Sequence, residues 1–209
     1  MTNASFEQEM RMENSSLIIR DYKESDREAL RDILKNEASY TQKQKGRASE
    51  GKKECLCYMY SDYYFDKEPD NVIVAEVNGV PCGFIVGSTN TKLFQKEMKE
   101  NYIPKIMKIS NVWGFFHKIC ISVNKTQDLV GGVAFHININ HDHQGKKIGT
   151  KLMSKMAEKM KEKGKRFLYL VTESKKTAGY KFYSRLGFKV AKSYLGGSVM
   201  MIKEFGGGF

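Results

Sequence analysis

The chain has 209 residues, of which 28 % are charged and 41 % apolar, and its 35 Lys and Arg against 24 Asp and Glu leave a formal charge of +11. That balance excludes collagen-like and wholly disordered chains, and no run of about 18 apolar residues is present to span a bilayer. The positive excess favours a polyanionic partner: nucleic acid, anionic lipid or a phosphorylated cofactor.

Residues 1–16 are polar and read as a flexible tail, with Glu7, Glu9 and Glu13 where an export signal needs an apolar core. A cytoplasmic location is expected. Leu17 to Tyr22 reads as a strand, and Ser25 with Glu28 has the spacing of a capping box ahead of Ala29, Leu30, Ile33, Leu34 and Ala38 at helical period. Thr41 to Gly51 reads as a loop, and Cys55 to Phe65 as one aromatic-rich helix ending before Pro69. The runs Asn71–Val77 and Val80–Val86 flank Asn78-Gly79, the two positive-φ residues of a type I′ hairpin turn. A helix is expected over Leu93 to Ile109 with a break before Pro104. Phe115 to Val123 reads as either a strand or a buried helix, and Asn124 to Asp128 as a turn. The four cysteines (Cys55, Cys57, Cys82, Cys120) lack CxxC or zinc spacing, so reduced thiols and no metal are expected.

The later half is more regular. Val133 to Asn140 alternates like a strand, and Ile148, Leu152, Met156 and Met160 follow at i, i+4 spacing in an amphipathic helix stopped by Gly164. Phe167 to Val171 is continuously apolar, as in a central strand. A helix over Lys175 to Arg185, stopped at Gly187, and strands over Phe188–Tyr194 and Val199–Glu204 complete the chain, with a flexible end at 206–209.

Between the alternating strand and its helix lies Gln144-Gly145-Lys146-Lys147-Ile148-Gly149-Thr150. A helix start leaves its first N–H groups unpaired, and small residues let a pyrophosphate approach them while two lysines add charge. His141 and His143 flank Asp142 in what reads as a turn rather than a metal cluster.

This loop resembles the Gln/Arg-x-x-Gly-x-Gly/Ala pattern of the GNAT superfamily of N-acetyltransferases, with Lys147 at the middle glycine. A second match lies in Ala178-Gly179-Tyr180-Lys181-Phe182-Tyr183-Ser184-Arg185-Leu186-Gly187-Phe188, similar to the family's A-x-x-x-x-Y-x-x-x-G-F element, with Lys176 where an Asn often precedes it. There is also a smaller likeness to the acetyltransferase-like C-terminal domains of O-GlcNAc hydrolases. It is carried by the hairpin, Thr91-Lys92-Leu93-Phe94, Tyr102-Ile103-Pro104 and His136-Ile137-Asn138.

The resemblance implies a mixed, mostly antiparallel α/β (α+β) sheet of six or seven strands with a splayed central parallel pair and helices on both faces. It would form a single domain over 17–205 with a helical insertion at about 93–132. It implies acetyl-CoA as co-substrate, no metal, and direct acetyl transfer to a primary amine of a small molecule or peptide. Gln144, Gly145, Lys146, Lys147, Ile148, Gly149 and Thr150 would hold the pyrophosphate. The main chain of Ile137, Asn138 and Ile139 would hold the pantetheine arm, with the Ile139 N–H aimed at the thioester oxygen. Lys176, Ala178, Tyr180 and Phe182 would contact the cofactor from the downstream element.

In this scheme Tyr183 is the candidate general acid, and its alternative is packing on the sheet. His136 is the candidate base, weighed against a structural histidine and against Glu173. Tyr58, Tyr60, Tyr63 and Tyr64 fall where the family places its acceptor wall, and Asp62 and Asp66 are candidates to attract a cation. No membrane partner is expected, and the state is a monomer or homodimer. A catalytically silent CoA-binding module on the same fold is the second reading. Nucleic acid is the third, and it is not favoured, because the basic residues are dispersed along helix faces with no recognised binding motif.

Overall fold

The computed structural model describes residues 16–43, 50–112, 129, 131–172, 177–194 and 197–206. All but Ser16 of the expected tail at 1–16, all but Gly206 of the expected end at 206–209, the Phe115–Val123 segment with Cys120, the Asn124–Asp128 turn, Glu173 and Lys176 lie outside the described residues.

Seven strands form one sheet in the order β1-β2-β3-β4-β5-β7-β6. They are β1 (Leu17–Asp21), β2 (Val72–Val77), β3 (Val80–Ser88), β4 (Gly132–Ile139), β5 (Phe167–Thr172), β6 (Lys189–Ser193) and β7 (Val199–Glu204). Only β4 and β5 run parallel; every other neighbouring pair is antiparallel. The β2–β3 hairpin turns through Asn78 at φ 53° and Gly79 at φ 79°, as the Asn-Gly pair requires.

Helices cover both faces. On one, α6 (Ile148–Glu162) buries Ile148, Leu152, Met153, Met156 and Met160 against Ile85, Phe135, Leu168 and Met201. Each such side chain is worth roughly 1.5–3 kcal/mol of burial. Helix α7 (Ala178–Arg185) lies on the same face, with Tyr180 and Tyr183 packed against this core. On the other face α1 (Arg27–Lys43), α2 (Glu50–Tyr60), α3 (Asp62–Lys67) and α4 (Thr91–Glu97) close over Val72, Val74, Phe84 and Val86.

Several local expectations are corrected. The Ser25–Glu28 capping box does not form. Asp26 instead accepts the Lys23 N–H at 2.8 Å and the Arg20 guanidinium at 2.7 and 2.9 Å, because this buried carboxylate gains both a donor and a counter-charge. The single helix over Cys55–Phe65 is two, α2 and α3, divided at Ser61. There the Oγ bonds the Cys57 carbonyl at 3.0 Å, an intrahelical back-bond that bends a helix. Both ends of the expected Thr41–Gly51 loop are helical, since α1 runs to Lys43 and α2 begins at Glu50, and residues 44–49 lie outside the described residues. The α-helical ladder is interrupted before Pro104, as expected, after α4 ends at Glu97. A π-turn (Met98–Tyr102) leads directly into α5 (Ile103–Ile109), where Pro104 occupies an early position that has no intrahelical donor to lose. Helix α7 starts at Ala178 rather than Lys175, where the Thr177 hydroxyl caps the Tyr180 N–H at 3.2 Å.

Candidate active site

Strand β4 has two unlike edges. Toward β3 it is paired over six residues, from Ala134 to Ile139. Toward β5 it pairs only at Gly132, Val133 and Ala134, yet β5 goes on pairing with β7 as far as Thr172. The sheet therefore splits beyond Ala134 and Tyr169. The Asn140 N–H bonds the Cys82 carbonyl on the β3 side at 2.8 Å. By strand alternation the main-chain groups of Phe135, Ile137 and Ile139 then face the split.

A cavity of about 440 Å³ opens at this split. His136, Ile137 and Asn138 of β4, Tyr183 of α7 and Tyr60 of α2 line it, so the structure brings together five of the residues singled out in the sequence. The Tyr183 ring meets Phe135 at 5.9 Å and Phe188 at 5.7 Å, and burial pushes its phenol pKa well above the ordinary range. The group holds its proton across neutral pH. His136 packs edge-on to Tyr60 at 4.9 Å and Tyr64 at 6.2 Å.

Of the four tyrosines expected to form an acceptor wall, only Tyr60 lines the cavity. Tyr63 and Tyr64 are core residues, and Tyr58 packs beside Arg31 and Lys105. Asp62 and Asp66 do not serve a cation in the cavity. Asp62 is buried against Arg31, while Asp66 binds Arg27 at 2.9 Å and the Tyr102 hydroxyl at 2.5 Å.

At the far end of β4, His141–His143 forms a 3-10 turn, as the sequence suggests, and the loop follows. Lys147 sits at φ 59°, a left-handed conformation that a glycine, the residue the family pattern has at this position, would adopt without a side chain to strain. Gly145, at φ 80°, has open space above it, and Lys146 and Lys147 are exposed. The first helical bond of α6 runs from the Lys151 N–H to the Lys147 carbonyl, so the N–H groups of Ile148, Gly149 and Thr150 precede the helical ladder. This open, positively charged cradle fits a diphosphate.

Gly149 has a further reason to be small. A Cβ there would lie 2.8 Å from Phe182 and 3.2 Å from Ile139. The Ile148 side chain is buried in the core, leaving only its main chain to a ligand, and Ala178 is exposed at the start of α7. Phe182 packs on the base of α6 and edge-on to Tyr183 at 5.2 Å. Gln144 turns back, its Nε2 donating to the Ile139 carbonyl at 3.2 Å and to Glu37 at 2.9 Å.

Glu37 lines the cavity with Leu34 and Leu56, and the sequence reading missed it. A signal was present: Leu30, Ile33, Leu34 and Glu37 stand at i, i+3, i+4 and i+7, so an acid occupies the apolar stripe of α1. Gly179 and Thr172, also on the wall, carried no such signal. Among the described residues no group of three His, Cys, Asp or Glu is placed to hold a metal, and no helix is long and apolar enough to cross a membrane.

A model of the Acetyltransferase (GNAT) family matches residues 28–188, and the chain belongs to that family of acyltransferases. Among solved structures it is similar in fold to SsHAT, with a TM-score of 0.75 at 21 % identity over 92 % of this chain and 100 % of that one. It is also similar to the PaiA N-acetyltransferase of Thermoplasma acidophilum in complex with coenzyme A, with a TM-score of 0.62 at 18 % identity over 90 % and 99 %. A third is the Drosophila melanogaster polyamine N-acetyltransferase, which catalyses formation of N-acetylagmatine, with a TM-score of 0.63 at 15 % identity over 90 % and 100 %. No curated protein matches the sequence.

Proposed function

We propose that the protein transfers an acetyl group from acetyl-CoA to a primary amine of a small molecule or peptide, by direct attack within a ternary complex. The observation that carries this reading is the split beyond Ala134, which leaves a strand edge without a β5 partner between a diphosphate cradle and a partly buried phenol. Acetyl-CoA supplies the acyl group as an activated thioester. The main chain of Ile137 and Ile139 holds the extended arm, and the Ile139 N–H meets the negative charge that grows on the carbonyl oxygen. One such donor is worth roughly 3–4 kcal/mol in a water-poor site.

The attacking amine must be neutral, and His136 takes the proton it sheds as the C–N bond forms. Tyr183 gives its proton to the departing sulfur as the C–S bond breaks, so an amide and a free thiol result. Its raised pKa keeps that proton available but makes it a weak donor, so transfer accompanies bond cleavage rather than preceding it.

Calorimetric titration with CoA tests the cofactor. Thiol release over a panel of polyamines, aminoglycosides, amino acids and peptides tests the acceptor, with polyamines first because a structural neighbour acts on them. Acceptor-dependent thiol release is the expected result. Binding of CoA without such release would favour a silent cofactor-binding module on the same fold, and absence of binding would overturn the proposal.

A further inference from the structure

Successive side chains of a strand point to opposite faces of the sheet, and the split lets both faces open into one cavity. On β4, His136 and Asn138 pair with Val86 and Phe84, which lie in the core beneath α1 to α4. Phe135 and Ile137 lie on the other face, beneath α6, together with Leu170 of β5 and Tyr183 of α7. Val171 follows Leu170 and therefore shares the His136 face. The cavity takes lining residues from both sets, so it runs through the sheet. In the proposed reaction the sulfur departs on the Tyr183 face, which leaves the His136 face to the amine that attacks.

The chamber on that face is mostly apolar. Leu34 of α1, Leu56 and Tyr60 of α2 and Val171 of β5 form its walls, and the Tyr60 ring stands edge-on to His136 at 4.9 Å. Val171 is 46 % exposed although Leu170 and Met200 beside it are buried, so it offers apolar surface at the cavity. Among the described residues no Lys or Arg lines the cavity. The one carboxylate on the described wall, Glu37, accepts hydrogen bonds from the Gln144 side chain and the His141 main chain, and the His141 charge acts on it as well. An apolar substituent seated here removes water from itself and from the wall, whereas an ammonium would lose its hydration for no new counter-charge. We infer that the acceptor is a primary amine with a compact apolar tail and no second charge, the tail seated on Leu34, Leu56, Tyr60 and Val171 and the nitrogen at His136. This rests on the acetyl-transfer reading and adds to it a substrate class and the residues that select it.

The test compares two acceptors of the same length, n-pentylamine and 1,4-diaminobutane, which differ only in a terminal methyl or ammonium group. The wild type should use n-pentylamine with a kcat/KM about tenfold or more above the diamine, expressed mainly in KM. In Val171→Asp, which sets a carboxylate on the open wall, that ratio should fall to within about threefold or invert. Leu56→Glu places the same charge on the α2 wall and serves where Val171→Asp does not melt cooperatively. Calorimetry with CoA and thermal melts on each variant accompany the kinetics. Equal or better use of the diamine by an active wild type would overturn the apolar seat and leave acetyl transfer standing. So would a wild type that acetylates other amines but not n-pentylamine, or an unchanged ratio in a folded, CoA-binding Val171→Asp or Leu56→Glu. A wild type that releases no thiol with any amine would overturn acetyl transfer itself, and the apolar seat with it.

Discussion

The two halves of the sheet are built differently. From β1 to β4 the ladders are long, helices cover both faces, and the half carries the Gln144 loop, His136 and Glu37. From β5 to β6 the sheet ends on a strand whose five residues are all exposed, and this half contributes Tyr183 through α7. Three residue pairs join the halves. The comparison teaches that the cavity exists because the joint is short: the proposed acid and the proposed base stand on opposite sides of a seam, and contacts across it set their geometry.

The largest effect should come from removing the hydroxyl that the second half offers to the first. Tyr183→Phe keeps the ring contacts and should lower kcat by about 100-fold or more, with the CoA dissociation constant within about threefold of wild type. Unaltered turnover would leave Tyr183 a packing residue and the comparison without its chemical point.

Next comes the seam itself. Gly132 opens the joint opposite Phe167, and a Cβ there would lie 2.3 Å from the Phe167 ring and 3.1 Å from the Leu129 carbonyl. Gly132→Ala should cost about 1–3 kcal/mol in urea unfolding. Hydrogen exchange should rise first in β5 amides while the β2–β3 hairpin keeps its protection, and equal loss in both would dissolve the distinction between the halves.

The pH dependence of kcat probes the same pair. Burial raises the Tyr183 pKa, so the phenol stays protonated above its usual range and the alkaline fall in kcat moves to higher pH. Rates should therefore hold up to about pH 10 while the acid limb reports deprotonation of the base and the amine. A decline beginning near pH 8 would assign proton delivery to another group.

The smallest effect concerns the loop. Lys147→Ala removes the charge but keeps the left-handed strain, whereas Lys147→Gly removes both. The glycine variant should bind CoA about fivefold more tightly than the alanine one, the equivalent of about 1 kcal/mol of strain. Equal affinities would show that the loop relaxes without cost.

Much of this arrangement was legible in the sequence because it depends on local rules. Asn78-Gly79 fixes the hairpin, the i, i+4 run from Ile148 fixes α6, and the Gln144 loop and Tyr183 element carry the family pattern. What escaped depends on partners distant in sequence. Asp26 outcompetes Ser25 because Arg20 lies across the strand end, and Ser61 divides a helix through its hydroxyl. Tyr63 and Tyr64 look like Tyr60 until packing puts only the last at the cavity. Glu37 was visible as an acid out of pattern, but its meaning needed the fold, which sets it beside Gln144, 107 positions away.

The half-open edge of β4 also bears on inhibitor design. Its outward amides repeat at the spacing of an extended peptide, so a short peptidomimetic laid along Ile137 and Ile139 should gain main-chain hydrogen bonds without needing side-chain recognition.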